Sequence, residues 1–280
     1  MKQRKGWRAA PGLAGTYLLA GLFAGAAAFP LYWMVVAALQ PGRDLFSYPP
    51  RLLPKLAELG VFGRLFATQP MLLWLANTVL IAGGVALISV VLAVLAAYAL
   101  SRFRFAGRRG LQFVLLLTQM LPSTVLIVPL FILFRQLHLL NTRSGIVLAQ
   151  AALVAPIAVW IIKAFMDTIP REIEEAALID GCSRLGVLRR VTLPLAVPSV
   201  VASFAMCFFE AWNVFVYALT FAPDRELWVS AVGLASWIGE LTTPVEIMMS
   251  GAVVFTIPSV VVFLALQQRL VGGLSAGAIQ

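Results

Sequence analysis

Charge is what this sequence has least of. Only 12% of its 280 residues are Asp, Glu, Lys or Arg, against 61% that are hydrophobic, and the mean hydropathy is +0.94. A soluble domain carries roughly a quarter charged residues and needs polar side chains to cover its surface. Their scarcity excludes an ordinary cytosolic enzyme, a disordered chain and, despite the net charge of +9, a nucleic-acid-binding domain. Cysteine is nearly absent as well. Cys182 and Cys207 cannot build a disulfide framework and lie in no CxxC or Cys/His cluster, so both read as small buried or interfacial side chains. A single histidine, His138, excludes a zinc site made mainly of imidazoles. No GxxxxGK followed by Ser or Thr occurs, which removes that kind of ATP site. No cofactor and no metal is expected.

Long apolar runs are what the sequence does have. Its charge-free stretches place spans at Leu13–Leu39, about 72–100, between Arg109 and Arg135, between Arg143 and Lys163, from Leu195 to about Leu219 with an interruption at Glu210, and between Glu246 and Arg269. The first core alone is roughly 40 Å long as a helix, ample for a hydrocarbon layer of about 30 Å. The 13 residues Leu227–Gly239 are too few to cross and read as re-entrant or interfacial. The expected fold is therefore an all-α membrane protein with six transmembrane helices. Lys2, Arg4, Lys5 and Arg8 with Ala26–Ala28 mimic a cleavable leader, but the apolar run continues for eleven residues past Ala28, so the first helix is expected to stay. With the amino terminus inside, fourteen Lys and Arg fall on inner segments and seven on outer ones, which predicts both termini in the cytoplasm.

Within the spans, Glu210 is the one acidic residue, and a charge there is costly unless it faces protein or water. Asn213 lies three residues on and shares its helical face; Trp212 points another way. A carboxylate, an amide and an aromatic ring suit sugar hydroxyls, and Glu210, Trp212 and Asn213 are the candidate substrate pathway. The alternative is that Glu210 and Asn213 hold this chain to a second membrane subunit by interhelical hydrogen bonds. Asn77, Gln119 and Gln150 are read as helix–helix contacts. Pro30, Pro122, Pro129 and Pro156 are expected to kink their helices.

The one substantial polar segment, 167–194, reads DTIPREIEEAALIDGCSRLGVLRRVTLP. Pro170 suits the first turn of a helix, and Glu172, Glu174 and Glu175 lie near the positive end of its dipole. Ile173, Ala176, Ala177 and Asp180 fall at i, i+3, i+4 and i+7 and form one narrow face of mostly small residues, open to close approach. Gly181 allows a turn, a short second helix covers about Ser183–Arg190, and Pro194 precedes the next span. On physical grounds alone the segment reads equally well as an amphipathic helix on the inner leaflet.

The string itself is more specific. Glu175-Ala176-Ala177, three residues, Gly181, nine residues, then Val191-Thr192-Leu193-Pro194 resembles the EAA loop of permease subunits in binding-protein-dependent ABC importers, with Val191 where that pattern has Ile. Trp74-Leu75-Ala76-Asn77-Thr78 is similar to the family's W-x-x-N-S/T. Tyr98-Ala99-Leu100-Ser101-Arg102-Phe103-Arg104-Phe105 is similar to its Y-A-x-x-R-F-x-F, and Trp212-Asn213 with Phe215 to its W-N-x-F. The tail Gly273-Leu274-Ser275-Ala276-Gly277-Ala278 resembles that of carbohydrate permeases of the maltose-system G-subunit type. These motifs span about residues 72–278.

The resemblance implies the type I importer fold, in which the EAA helix is a cytoplasmic coupling helix. Glu175, Ala176, Ala177 and Gly181, with Asp180 on the same face, would dock on a pair of ATP-hydrolysing subunits. It also implies a second permease, a periplasmic or extracellular binding protein, a sugar as cargo, surrounding membrane lipid and a place in a bacterial inner membrane. ATP hydrolysis would belong to a separate subunit, so the chain itself is not expected to be an enzyme. Three segments follow: an amino-terminal tail, first helix and outer loop (1–71), a permease domain (72–268) and a carboxy-terminal tail (269–280). Alternatives are a permease for a non-sugar solute and an ion-coupled secondary transporter. The latter would need inverted repeats or paired intramembrane ionisable groups, and only Glu210 is present.

Overall fold

A computed structural model describes residues 10–45, 47–238 and 245–275. The basic residues at 2–8 and the tail residues 276–280, with Ala276–Ala278 of the carboxy-terminal motif, lie outside these, as does Gly239. The described residues form helices and the loops between them: α1 (Ala10–Ala38), α2 (Gly42–Leu45), α3 (Gly60–Thr68), α4 (Met71–Arg102), α5 (Arg108–Met120), α6 (Ile127–Gln136), α7 (Arg143–Thr168), α8 (Arg171–Ile179), α9 (Arg184–Val187), α10 (Leu193–Trp212), α11 (Val216–Phe221), α12 (Ser230–Ser236) and α13 (Val245–Ser275).

Five stretches are long and apolar enough to cross a bilayer: Gly15–Ala38, Met71–Arg102, Arg143–Thr168, Arg184–Trp212 and Val245–Gln267. The third expected span, between Arg109 and Arg135, is not one rod. Met120 ends α5, Pro122 follows, and the chain turns by 102° before Ser123–Gln136 continues it. Leu121 is extended, as a residue before proline prefers, so the helix stops there. Pro129 sits in the first turn of α6, where its missing N–H is no loss.

The fifth span also departs from its expected bounds. It starts earlier, because α9 runs through a π-helical turn, Leu188–Thr192, directly into α10. It ends earlier too: α10 stops at Trp212, Asn213 leaves the helix (φ −90°, ψ 13°), and α11 follows as a separate short piece. Glu210 lies inside α10 and does not interrupt it.

Two compact units make up the chain, residues 1–69 with 239–254, and residues 70–238 with 255–280. In the smaller, Asp44 takes Lys55 at 2.5 Å and Arg51 at 3.4 Å, and Gln40 donates to the Arg51 carbonyl at 2.8 Å, fastening the loop after α1. The larger is built on α4, α7 and α10, which pack along one another. Small residues line this contact, among them Ala86, Ala93, Ala149, Ala158 and Ala211, all fully buried. Close backbone approach of this kind drives helix association where lipid is as apolar as the side chains. On the other side of α4, Leu80, Leu87, Val91 and Leu95 stand exposed along one stripe, the side a lipid would wet.

The start of α4 is tied to the segment after α11. Trp74 Nε1 donates to the Arg225 carbonyl (3.2 Å), and Asn77 donates to the carbonyls of Glu226 (2.8 Å) and Trp228 (2.9 Å). Arg143 Nε donates to Asn77 Oδ1 at 2.8 Å, and the Ser230 amide donates to Thr78 Oγ1 at 2.8 Å. A Cβ on Gly233 would stand 2.0 Å from the Trp74 ring, so glycine is required there by space. Trp74, Asn77 and Thr78 thus form a fastening.

Candidate functional site

Segment 167–194 folds as a helix with a defined stop. Pro170 precedes α8, and Glu172 and Glu174 occupy its first turn, where the helix dipole favours negative charge. At the other end Gly181 takes φ +85°; its amide donates to the Leu178 carbonyl (3.1 Å) and the Cys182 amide to the Ala177 carbonyl (3.0 Å). This pair of bonds is the Schellman cap, which satisfies carbonyls left free by the helix and needs a left-handed residue at the turn. No neighbouring atom lies within 4 Å of where a Gly181 Cβ would be, so conformation, and not space, calls for glycine. Ser183 then caps α9 by accepting the Gly186 amide at 3.2 Å.

Glu175, Ala176, Asp180 and Gly181 are exposed, and Ala177 is half-buried. Large apolar side chains stand out beside them: Ile179 is 86% and Leu185 69% exposed, with Ile173 and Leu178 also open. Ile173, Leu178 and Ile179 lie on α8, outside the candidate spans, whereas Leu185 lies on α9 at the start of one.

The opposite side of α8 is anchored by a residue that the linear pattern did not single out. Glu174 is 7% exposed, and its Oε1 accepts from Arg102 Nε at 2.9 Å and from Thr192 Oγ1 at 2.9 Å. Arg102 also donates to the Ile169 carbonyl at 3.1 Å. Next to it, Ser101 donates to Asp167 Oδ1 (2.6 Å), whose other oxygen takes Lys163 at 2.5 Å. One buried ion pair therefore joins α8 to the end of α4, the end of α7 and the π-helical turn. The signal for it was present in sequence as Arg102 and Thr192, each inside a motif.

A second site opens where α10 breaks. A cavity of about 390 Å³ lies there, lined by Glu210 and Asn213 from α10 and its end, Gln119 from α5 and Gln150 from α7, with Phe215 and Tyr217 beyond the break. Tyr217 donates to the Ser123 carbonyl at 2.6 Å, which holds α11 against the bent pair. Gln119 donates to the Leu153 carbonyl (3.2 Å), and Asn213 to the Phe209 carbonyl one turn back (2.8 Å). Trp212 does not line this cavity. It is 3% exposed, stacked on Phe255 (5.3 Å, 18°) and packed on Phe208 (5.4 Å), along an adjoining groove that shares Asn213 with the cavity. Gln119 and Gln150, read from sequence as helix contacts, face the same cavity as Glu210. Among the described residues no group of three metal-ligating side chains occurs.

A family model described as binding-protein-dependent transport system inner membrane component matches residues 89–275. The chain is 32% identical over 252 residues to the sulfoquinovosyl glycerol transport system permease protein SmoH of Agrobacterium fabrum, covering 90% of this chain and 88% of that protein. It is 32% identical over 255 residues to the trehalose/maltose transport system permease protein MalG of Thermococcus litoralis, covering 90% and 91%. A solved bacterial ABC transporter that imports the acidic polysaccharide alginate contains a chain of the same fold, with a TM-score of 0.77 and 24% identity over 96% of this chain and 98% of that one. The matched region runs from the middle of α4 to the end of α13, well over half of the sequence, and the chain belongs to the family of binding-protein-dependent transport system inner membrane components.

Proposed function

We propose that this chain is the permease subunit of an ATP-driven, binding-protein-dependent sugar importer. It forms the translocation route with a second permease, takes sugar from an external binding protein and is driven by a pair of ATP-hydrolysing subunits. The carbohydrate permeases among its relatives support the cargo class. The observation that carries the coupling role is the two-sided α8: one side is held to the bundle by Glu174–Arg102, and the other exposes Glu175, Ala176, Asp180 and a set of apolar side chains. A partner docked on the exposed side moves α4, α7 and α10 through the buried one. ATP shifts the bundle between inward- and outward-facing forms only through its different affinity for the two.

Residues 72–268 are the permease domain in this reading, preceded by the first helix and outer loop (1–71) and followed by a short tail (269–280), with both termini cytoplasmic. Cysteines placed at Glu58 and Glu226 then react with an impermeant reagent from outside, and one at Phe105 does not; outside labelling at 105 reverses the orientation.

The deciding experiment combines co-purification of the ATP-hydrolysing subunits with sugar uptake, with membrane insertion measured separately. Glu175→Ala loses a charge-assisted contact of about 1.5–3 kcal/mol, ten- to a hundredfold in affinity for the ATP-hydrolysing subunits. Gly181→Val forces a β-branched residue into a left-handed turn, and coupled uptake is expected to be nearly abolished. Normal insertion with normal uptake in both variants would return segment 167–194 to a helix lying on the inner leaflet.

A further inference from the structure

The cavity at the α10 break carries one charge. Its polar lining comprises the amides of Gln119, Gln150 and Asn213, the hydroxyls of Ser123, Thr124 and Tyr217, and the carboxylate of Glu210. Every other lining residue is apolar, Ile127, Leu153 and Met206 among them. Glu210 has no Lys or Arg partner in any ion pair among the described residues. A carboxylate within an apolar span is tolerated where it faces water or a ligand. Walls of low polarisability concentrate its field in the space it faces, and the neutral amides around it offer no counter-charge.

We propose that Glu210 makes this cavity selective for uncharged and cationic sugars over acidic ones. The ionised carboxylate is an acceptor only, so it takes hydroxyl or ammonium donors and repels a second carboxylate, sulfonate or phosphate. The amides supply both donors and acceptors, which suits hydroxyls of either kind of sugar. The selection rests on the cavity being the sugar route, and the test separates the two ideas.

A reporter cysteine reads the local field. In the complete transporter in vesicles, with Cys182→Ser and Cys207→Ala, Asn213→Cys is modified by a cationic trimethylammonium-ethyl and by an anionic sulfonato-ethyl methanethiosulfonate. Position 213 lies three residues from Glu210, at the end of the same helix, and both residues line the cavity. Adding Glu210→Gln is expected to lower the cation-to-anion rate ratio about tenfold, the scale of one unit charge acting through a partly wet cavity. Glu210→Asp keeps the ratio high, and Gln150→Cys on the facing helix shows the same direction of change should Asn213→Cys fail to assemble. If both reagents react at both positions and the ratio does not depend on Glu210, the selection is wrong while the route stands. If neither reporter reacts with either reagent, the cavity is closed to solutes, and the route and the selection fall together.

Discussion

Glu174 and Glu210 sit on helices of the same mostly apolar chain, and their surroundings are opposite. Glu174 is almost fully buried, and one of its oxygens takes a guanidinium and a hydroxyl from two other elements. Glu210 lies open to a cavity whose other polar groups are neutral, and among the described residues it has no ion-pair partner. A buried charge is stable only when it is paired and hydrogen-bonded. Glu174 meets that condition with protein groups, so its role is architectural: it sets where α8 sits. Glu210 meets no such protein cation among the described residues, and under the proposal above its condition is met by water or cargo. The contrast extends to the helices that bear them. The α8 segment is capped at its end and clamped along its back, whereas α10 breaks within three residues of Glu210 and gives the cavity its opening.

Five substitutions test that contrast. Arg102→Ala leaves the Glu174 carboxylate buried without its cation, a loss of about 3–5 kcal/mol for a pair broken on one side. A fall in the thermal transition of the purified protein is expected, together with faster proteolysis within 167–194. Proteolysis no faster than in the parent chain would mean that Glu174 does not hold α8. Glu174→Gln keeps an acceptor for Thr192 and Arg102 but removes the charge; a smaller loss of about 1–3 kcal/mol is expected by the same assay. Gly181→Ala is expected to cost about 1–2 kcal/mol, the left-handed penalty alone, since its Cβ meets open space. Gly181→Asn should cost less, because asparagine tolerates that conformation, and equal losses for the two would point to a steric cause. Glu210→Gln is expected to shift the thermal transition least, within about 0.5 kcal/mol. A drop of more than about 1 kcal/mol at Glu210 would make it a second fastening residue and erase the difference from Glu174.

How far the sequence could be read depended on the range of the physics involved. Spans at α1, α4, α7 and α13 were legible because exclusion of charge over 20 or more residues is a property of the local string. The 102° turn at Pro122 was partly so: the proline announced a break, but its angle depends on what α6 packs against. The stop at Asn213 had no comparable mark, and the charge at Glu210 looked like the interruption instead. In segment 167–194 the spacing located the helix and its glycine stop. It could not say that Glu174, one residue before the motif's own glutamate, turns inward, because helical phase orders residues around an axis without saying which side meets the bundle.

Trp212, Glu210 and Asn213 show the same division. Sequence separated Trp212 from the other two by helical phase, and the structure sends it onto Phe208 and Phe255, away from the cavity. That Gln119 and Gln150 share the cavity of Glu210 depends on three helices 31–91 positions apart in sequence meeting at one place. The sequence by itself determined that the chain crosses a membrane, where the spans at α1, α4, α7 and α13 lie, and that one polar loop carries a capped helix, because hydropathy and capping act within a few helical turns. Only the tertiary structure decided which carboxylate is paired and which is left facing a cavity. That choice is made by long-range packing of α4, α7 and α10, which brings Arg102 to Glu174 and, among the described residues, pairs no cation with Glu210.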